Sequence, residues 1–259
     1  MIDSAKREEI FSLLNEIEEQ EDIRILYACE SGSRAWGFPS VNSDYDIRFL
    51  YIRPVEWYLS IDERRDVIEF MDGDLDGSGW DIKKMLNLFR KSNPPLMEWL
   101  GSPVVYREKL EFASKLRALR AEYYSPMVAT HSYLKMSQMA AKEYLKGDHI
   151  QLKKTFYALR PLLAIQWIEQ GRGVVPTLFQ TMVDALDLPS TLKKEITDLV
   201  EYKRHQIEKD HILRIPAISD FIDAELARHD AHGFDFPIPP APLEPLNDLF
   251  REALKVAWA

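Results

Sequence analysis

Two aspartates separated by one residue, Asp44 and Asp46, follow a Gly32-Ser33 pair in the run YACESGSRAWGFPSVNSDYDIRFLYI, residues 27–52. On a strand, alternate side chains point to one side. The two carboxylates then lie side by side, with their backbones about 7 Å apart. Acids that close repel unless a positive charge lies between them. Mg2+, with Mn2+ as its substitute, fits: a hard cation that takes one or two carboxylates together with phosphate oxygens and water. A pair of such ions stabilises the attacking and the leaving oxygen of a phosphoryl transfer.

Gly32 and Ser33 suit the other half of that chemistry. Glycine lets a backbone come close to a ligand and adopt positive φ. A helix starting at Ser33-Arg34 would turn its free N–H groups toward a phosphate, with the Ser33 hydroxyl and the Arg34 charge beside them. The combined expectation is a nucleoside triphosphate gripped by one turn and a metal held by the next strand. Arg34 fits either a phosphate contact or a surface ion pair, and Ser43 either a ligand contact or a turn cap. Trp36 and Phe38 could stack on a base or pack locally. A third carboxylate would help to activate an attacking hydroxyl. Asp81, at the polar start of DIKKML, is the first choice, with an N-cap as its other reading. Glu69 is the second choice, and spacing does not separate them.

The elements that must position these groups can be read from hydrophobic period. Ile10, Leu13, Leu14 and Ile17 mark an amphipathic helix over residues 4–20. IRILYAC reads as a buried strand, and GSRAWGFPSVNS as a turn with room for a short helix. DYDIRFLYI alternates, with Asp44, Asp46, Arg48 and Leu50 on one face. DVIEFM reads as a third strand, and the acidic, Gly-rich DGDLDGSG as a turn. WDIKKMLNLFRKS reads as a strand end passing into a helix. Beyond it, stretches 109–122, 126–146, 148–170, 176–187, 190–211 and 216–231 repeat apolar residues at helical spacing. A Pro-rich connector, HGFDFPIPPAPLEP, leads to a last helix near 244–257. The expected architecture is α+β: a small mixed-sheet domain over residues 1–108, then an all-helical bundle over 109–259.

In the stretch 148–170, Lys153, Tyr157 and Arg160 share one helix face. That face is either solvated or closes over the triphosphate, with Lys153 offsetting γ-phosphate charge.

Composition narrows the classes. The 259 residues carry a net charge of −9, against a broad nucleic-acid footprint but not against a local basic channel. One cysteine, Cys29, excludes an internal disulfide and a cysteine zinc site. No apolar stretch reaches membrane-spanning length, and the charged, amphipathic start does not read as a secretory signal. Cytoplasm is the expected compartment, with no membrane partner. The oligomeric state is not readable.

Gly-Ser, a short spacer, then Asp-x-Asp followed by apolar residues resembles the signature of the DNA polymerase β-like nucleotidyltransferase superfamily. The fuller run, with WDIKKMLNLFRKSNPPLMEWLGSPVVY and LKKTFYALRPLLAIQWI, resembles one branch of it, the RNA repair pathway DNA polymerase β family, across most of residues 23–215. The resemblance implies transfer of a nucleoside monophosphate from an NTP to a hydroxyl, with pyrophosphate released. It places Gly32, Ser33, Asp44 and Asp46 at the nucleotide and metal positions. It implies RNA as the first-choice acceptor. A protein hydroxyl (AMPylation), a small molecule, or a non-catalytic nucleotide sensor or antitoxin-like module stays open beside it.

Overall fold

The computed structural model describes residues 2–144, 147–205, 211–231, 236 and 241–259. Helix α1, Ser4–Gln20, starts on Asp3, whose side chain accepts the Lys6 N–H. Strand β1, Arg24–Glu30, leads into a five-residue helix α2, Gly32–Trp36, that Gly37 ends in the left-handed region. Strand β2 is Tyr45–Ile52, α3 is Val55–Tyr58, β3 is Val67–Asp72 and β4 is Leu75–Asp81. Helices α4, Ile82–Arg90, and α5, Pro94–Leu100, precede strand β5, Val105–Glu108.

The helical part follows: α6, Phe112–Tyr123; α7, Pro126–Tyr144; strand β6, His149–Gln151; α8, Leu152–Glu169; α9, Phe179–Ala185; α10, Ser190–Arg204. Strand β7, His211–Leu213, pairs antiparallel with β6 and precedes α11, Pro216–Ala231, and α12, Glu244–Ala257. Of the expected helix 190–211 the structure gives helix to Arg204, while 206–210 lie outside the described residues, as do most of the Pro-rich connector and residues 145–146. Tyr58 packs edge-on against Phe250 of α12, which brings the last helix back to the sheet.

The main sheet runs β3-β4-β2-β1-β5, and β2 with β4 is its parallel pair. One face, carrying Ile25, Ala28, Ile47 and Phe49, packs on Ile10, Leu14 and Ile17 of α1. The other, carrying Tyr27, Leu50 and Ile52, packs on Met85 and Phe89 of α4 and shares one buried cluster with the helices. At the start of β2 that second face turns polar, as Leu50 gives way to Arg48 and Asp46.

Strand β4 is the correction to the expected turn. LDGSGWD is an interior strand, and its glycines are the reason it does not look like one. A Cβ on Gly77 would fall 1.9 Å from the Phe70 ring, and one on Gly79 would fall 2.1 Å from the Phe49 ring. The rings of neighbouring strands fill the space that β-branched side chains would take, so the usual strand composition is missing.

Candidate active site

Register places the acids. Asp46 on β2 stands opposite Asp76 on β4, and partnered residues share a face. Asp44, exposed, lies just ahead of β2. Asp44, Asp46 and Asp76 line one cavity of about 300 Å³ together with Ser33, Arg48, Lys153, Tyr157 and Lys203. Gly32 has φ +56, and a Cβ there would fall 1.9 Å from Asp46 Oδ2. The carboxylate thus packs directly on the glycine backbone, which no other residue allows.

Arg48 bridges the acids. Its Nη2 lies 2.9 Å from Asp46 Oδ1, and its Nη1 lies 3.3 Å from Asp76 Oδ1 and 2.8 Å from the Asp76 carbonyl. Burial raises the Asp46 carboxyl above the ordinary range; Arg48 opposes that, and Asp76 adds to it. Behind Asp46, the fully buried Glu30 accepts the Asp46 N–H at 2.9 Å and the Tyr106 hydroxyl. Burial pushes the Glu30 carboxyl up to about 7.

Helices α8 and α10 supply the cavity's positive wall. Lys153 stands in the first turn of α8. Lys203, near the end of α10, is 1% exposed and donates to the Phe38 carbonyl at 3.2 Å. Arg204 beside it donates to the Gly37 carbonyl at 3.1 Å. Two cations of the helical region therefore hold the loop that follows α2.

The expected residues divide. Ser33, Asp44, Asp46, Lys153 and Tyr157 meet at this cavity, and Gly32 lines the groove adjoining it. Ser43 is buried, bonded to Ser33 Oγ at 3.1 Å and to the Ser40 N–H at 2.9 Å. Arg34 lies over the Tyr45 ring and donates to the carbonyls of Ser43 at 2.7 Å and Asp44 at 3.1 Å. Both shape the loop that carries Asp44. Asp81 does not join the cavity. It ends β4, five residues beyond Asp76 and so roughly 16 Å along the strand, where it caps α4 through Lys83 N–H at 2.8 Å. Tyr58 donates to its other oxygen at 2.6 Å. Glu69 is exposed on edge strand β3 and pairs with Arg65.

Sequence reading missed Asp76, Arg48 and Lys203. Asp76 was hidden by the turn-like glycines of β4. The alternation of Leu75, Gly77 and Gly79 with the polar Asp76 and Ser78 is the signal that could have found it. Lys203 sits in a charged run, where one buried lysine does not stand out.

The donor set fits a divalent cation: hard carboxylate oxygens, two of the groups half-buried, with a single guanidinium between Asp46 and Asp76. A second acidic grouping, Glu169, Glu225 and His229, has ligand atoms within 4.8 Å of one another. Arg228 lies 2.7 Å from both glutamates, so this is an ion-pair network between α8 and α11. Among the described residues no helix is long and apolar enough to cross a membrane.

Residues 7–252 match the RNA repair pathway DNA polymerase beta family. The chain belongs to that family. It is 46% identical over 223 residues to the uncharacterized protein YcgL of Bacillus subtilis (strain 168), covering 86% of each chain. A solved nucleotidyltransferase-like protein from Exiguobacterium sibiricum 255-15 overlays 95% of this chain and 80% of its own at 11% identity, with a TM-score of 0.33. That overlay is too loose to equate the two folds.

Proposed function

We propose that this protein transfers a nucleoside monophosphate from an NTP to a hydroxyl acceptor and releases pyrophosphate. The observation that carries the reading is the convergence of Asp44, Asp46 and Asp76 on a cavity whose other wall is Ser33, Lys153 and Lys203. Family membership supports the same reaction class. Asp44, Asp46 and Asp76 would hold divalent cations, which supply charge neutralisation at the reacting phosphate when bound.

The chain's own groups do the rest. The Ser33 hydroxyl donates to a phosphate oxygen. Lys153 and Lys203 offset the charge of the leaving pyrophosphate. An Asp76 carboxylate oxygen takes the proton of the attacking hydroxyl as the oxygen bonds to the α-phosphorus. Gly32 lets Asp46 approach closely, and Glu30 fixes the Asp46 backbone from behind. Catalysis by such a site is positioning and electrostatics. RNA ends are the proposed acceptor, in keeping with the family's description. The net charge of −9 argues against a broad RNA footprint and is compatible with a local contact at an RNA end.

The test is incubation with each labelled NTP, Mg2+ and total RNA, following pyrophosphate release and label transfer. The expected result is label on RNA from the wild type and none from Asp46→Asn. Nucleotide binding without pyrophosphate release would make the protein a sensor instead. Label on protein or on a small molecule would move the acceptor away from RNA.

A further inference from the structure

A second cavity adjoins the first across Trp36, Tyr157 and Asp46, and its chemistry is different. It is a groove of about 480 Å³ between α5, α7 and α8. Trp36, Trp99 and Tyr157 line it, and each ring is held from behind or from the side. Trp99 lies 3.9 Å from the Trp80 ring, and Trp36 lies 5.8 Å from Tyr157 and 4.6 Å from the Arg160 guanidinium. Met136 and Met139 of α7 face it one turn apart, 39% and 59% exposed. Exposed methionines beside fixed rings suit a flat, polarisable guest.

Two polar groups of the groove have capacity to spare: Glu98, and Arg160, whose Nε and Nη2 are buried without a partner among the described residues. The Glu98 carboxylate accepts Arg160 Nη1 at 2.7 Å and the Tyr133 hydroxyl at 3.1 Å, both on Oε1. Among the described residues, its Oε2 receives a long 3.4 Å contact from Trp36 Nε1 and no shorter one. A carboxylate oxygen in an apolar groove favours an N–H donor. Phosphate is disfavoured there: three carboxylates, Asp46, Glu98 and Glu143, line the groove against two guanidiniums, Arg48 and Arg160, each with a carboxylate partner, although Arg160 keeps Nε and Nη2 without one.

We infer that this groove is a subsite for a purine base, packed against the Trp36 and Tyr157 rings, with an amino or ring N–H donated to Glu98 Oε2. The inference rests on the proposed function only in putting phosphates in the neighbouring cavity. Base stacking on aromatic rings is worth about 1–3 kcal/mol, and a pyrimidine covers less ring. Uracil also lacks an exocyclic amino group. The ring has two possible origins, the donor nucleotide or the acceptor's terminal nucleotide.

The test uses nucleosides without phosphate, titrated into the full-length protein without metal and read by tryptophan fluorescence and calorimetry. Adenosine or guanosine should bind about tenfold tighter than uridine, and ribose 5-phosphate should not bind. Met139→Arg should weaken purine binding about tenfold, while Met139→Leu keeps it. Met139 is exposed enough for both variants to fold, which a thermal melt checks. Equal binding of uridine, binding of ribose 5-phosphate, or indifference to Met139→Arg would overturn the inference. Repeating the titration with a non-hydrolysable NTP and Mg2+ present assigns the ring: competition marks the donor base, undiminished binding the acceptor base. Purine binding with no pyrophosphate release from any NTP would sink the transferase reading and spare this one. Pyrophosphate release without nucleoside binding would do the reverse.

Discussion

The two ends of β4 each carry an aspartate, and the two do opposite things. Asp76, at the start, faces a cavity beside Asp46, where its charge is shared with Arg48. Asp81, at the end, is 1% exposed and spends both oxygens on the fold, one on an α4 N–H and one on Tyr58. Seven residues of one strand thus hold an acid whose oxygens each take one long 3.3 Å contact from Arg48 at a cavity, and an acid whose oxygens are held at 2.8 and 2.6 Å by the fold. Residue type does not tell them apart; the partners do. An acid saturated by protein donors is a structural element, and an acid held against other acids is, on the proposed function, where a cation would bind.

The sharpest way to break the comparison is to neutralise each acid in turn. Asp76→Asn should cut nucleotidyl transfer by about a hundredfold or more while the denaturant midpoint stays put. If Asp76→Asn stays fully active, Asp76 has no role in the transfer. Between the two ends, Gly79→Ala drives a Cβ into the Phe49 ring and should lower unfolding free energy by about 1–3 kcal/mol. An unchanged urea midpoint would show that the ring moves freely. Asp81→Ala should remove about 1 kcal/mol of stability and leave the transfer rate at its wild-type level. A lost rate in a well-folded Asp81→Ala protein would restore the sequence-based choice of third carboxylate.

The smallest effect is on pH. Burial raises the Asp81 carboxyl above its ordinary value, with the Tyr58 and Lys83 bonds pulling it back down. A raised acid takes up its proton in the fold at a pH where the unfolded chain has already lost it. Its contribution to stability is therefore fullest below about pH 4 and declines as pH rises through the folded value. Asp81→Asn should flatten that decline in urea titrations run from acid to neutral pH; an unaltered slope would assign it to other groups.

Much of this was legible in the sequence, for identifiable reasons. The alternation of Asp44, Asp46, Arg48 and Leu50 gave both the strand and its polar face, because one side of β2 is cavity at one end and core at the other. The helices of residues 112–231 followed from apolar spacing. Asp76 was not legible. Its strand uses glycine where strands ordinarily use bulk, and the rings that justify the glycines come from Phe49 and Phe70, distant in sequence. The short ribbon of β6 and β7 was missed because three-residue strands leave no period to read. Arg160 belongs to a stripe that the sequence leaves either solvated or closed over the triphosphate. It is buried because Glu98, from another helix, meets it at 2.7 Å.

Arg48 has a consequence for the life of the chain before any reaction. Like charges brought together out of water oppose folding by several kcal/mol unless an opposite charge accompanies them. Here the compensating charge is covalently part of the same strand, two residues from Asp46. The fold therefore carries its own countercharge, and on the proposed function a divalent ion would bind afterwards by shifting a guanidinium aside.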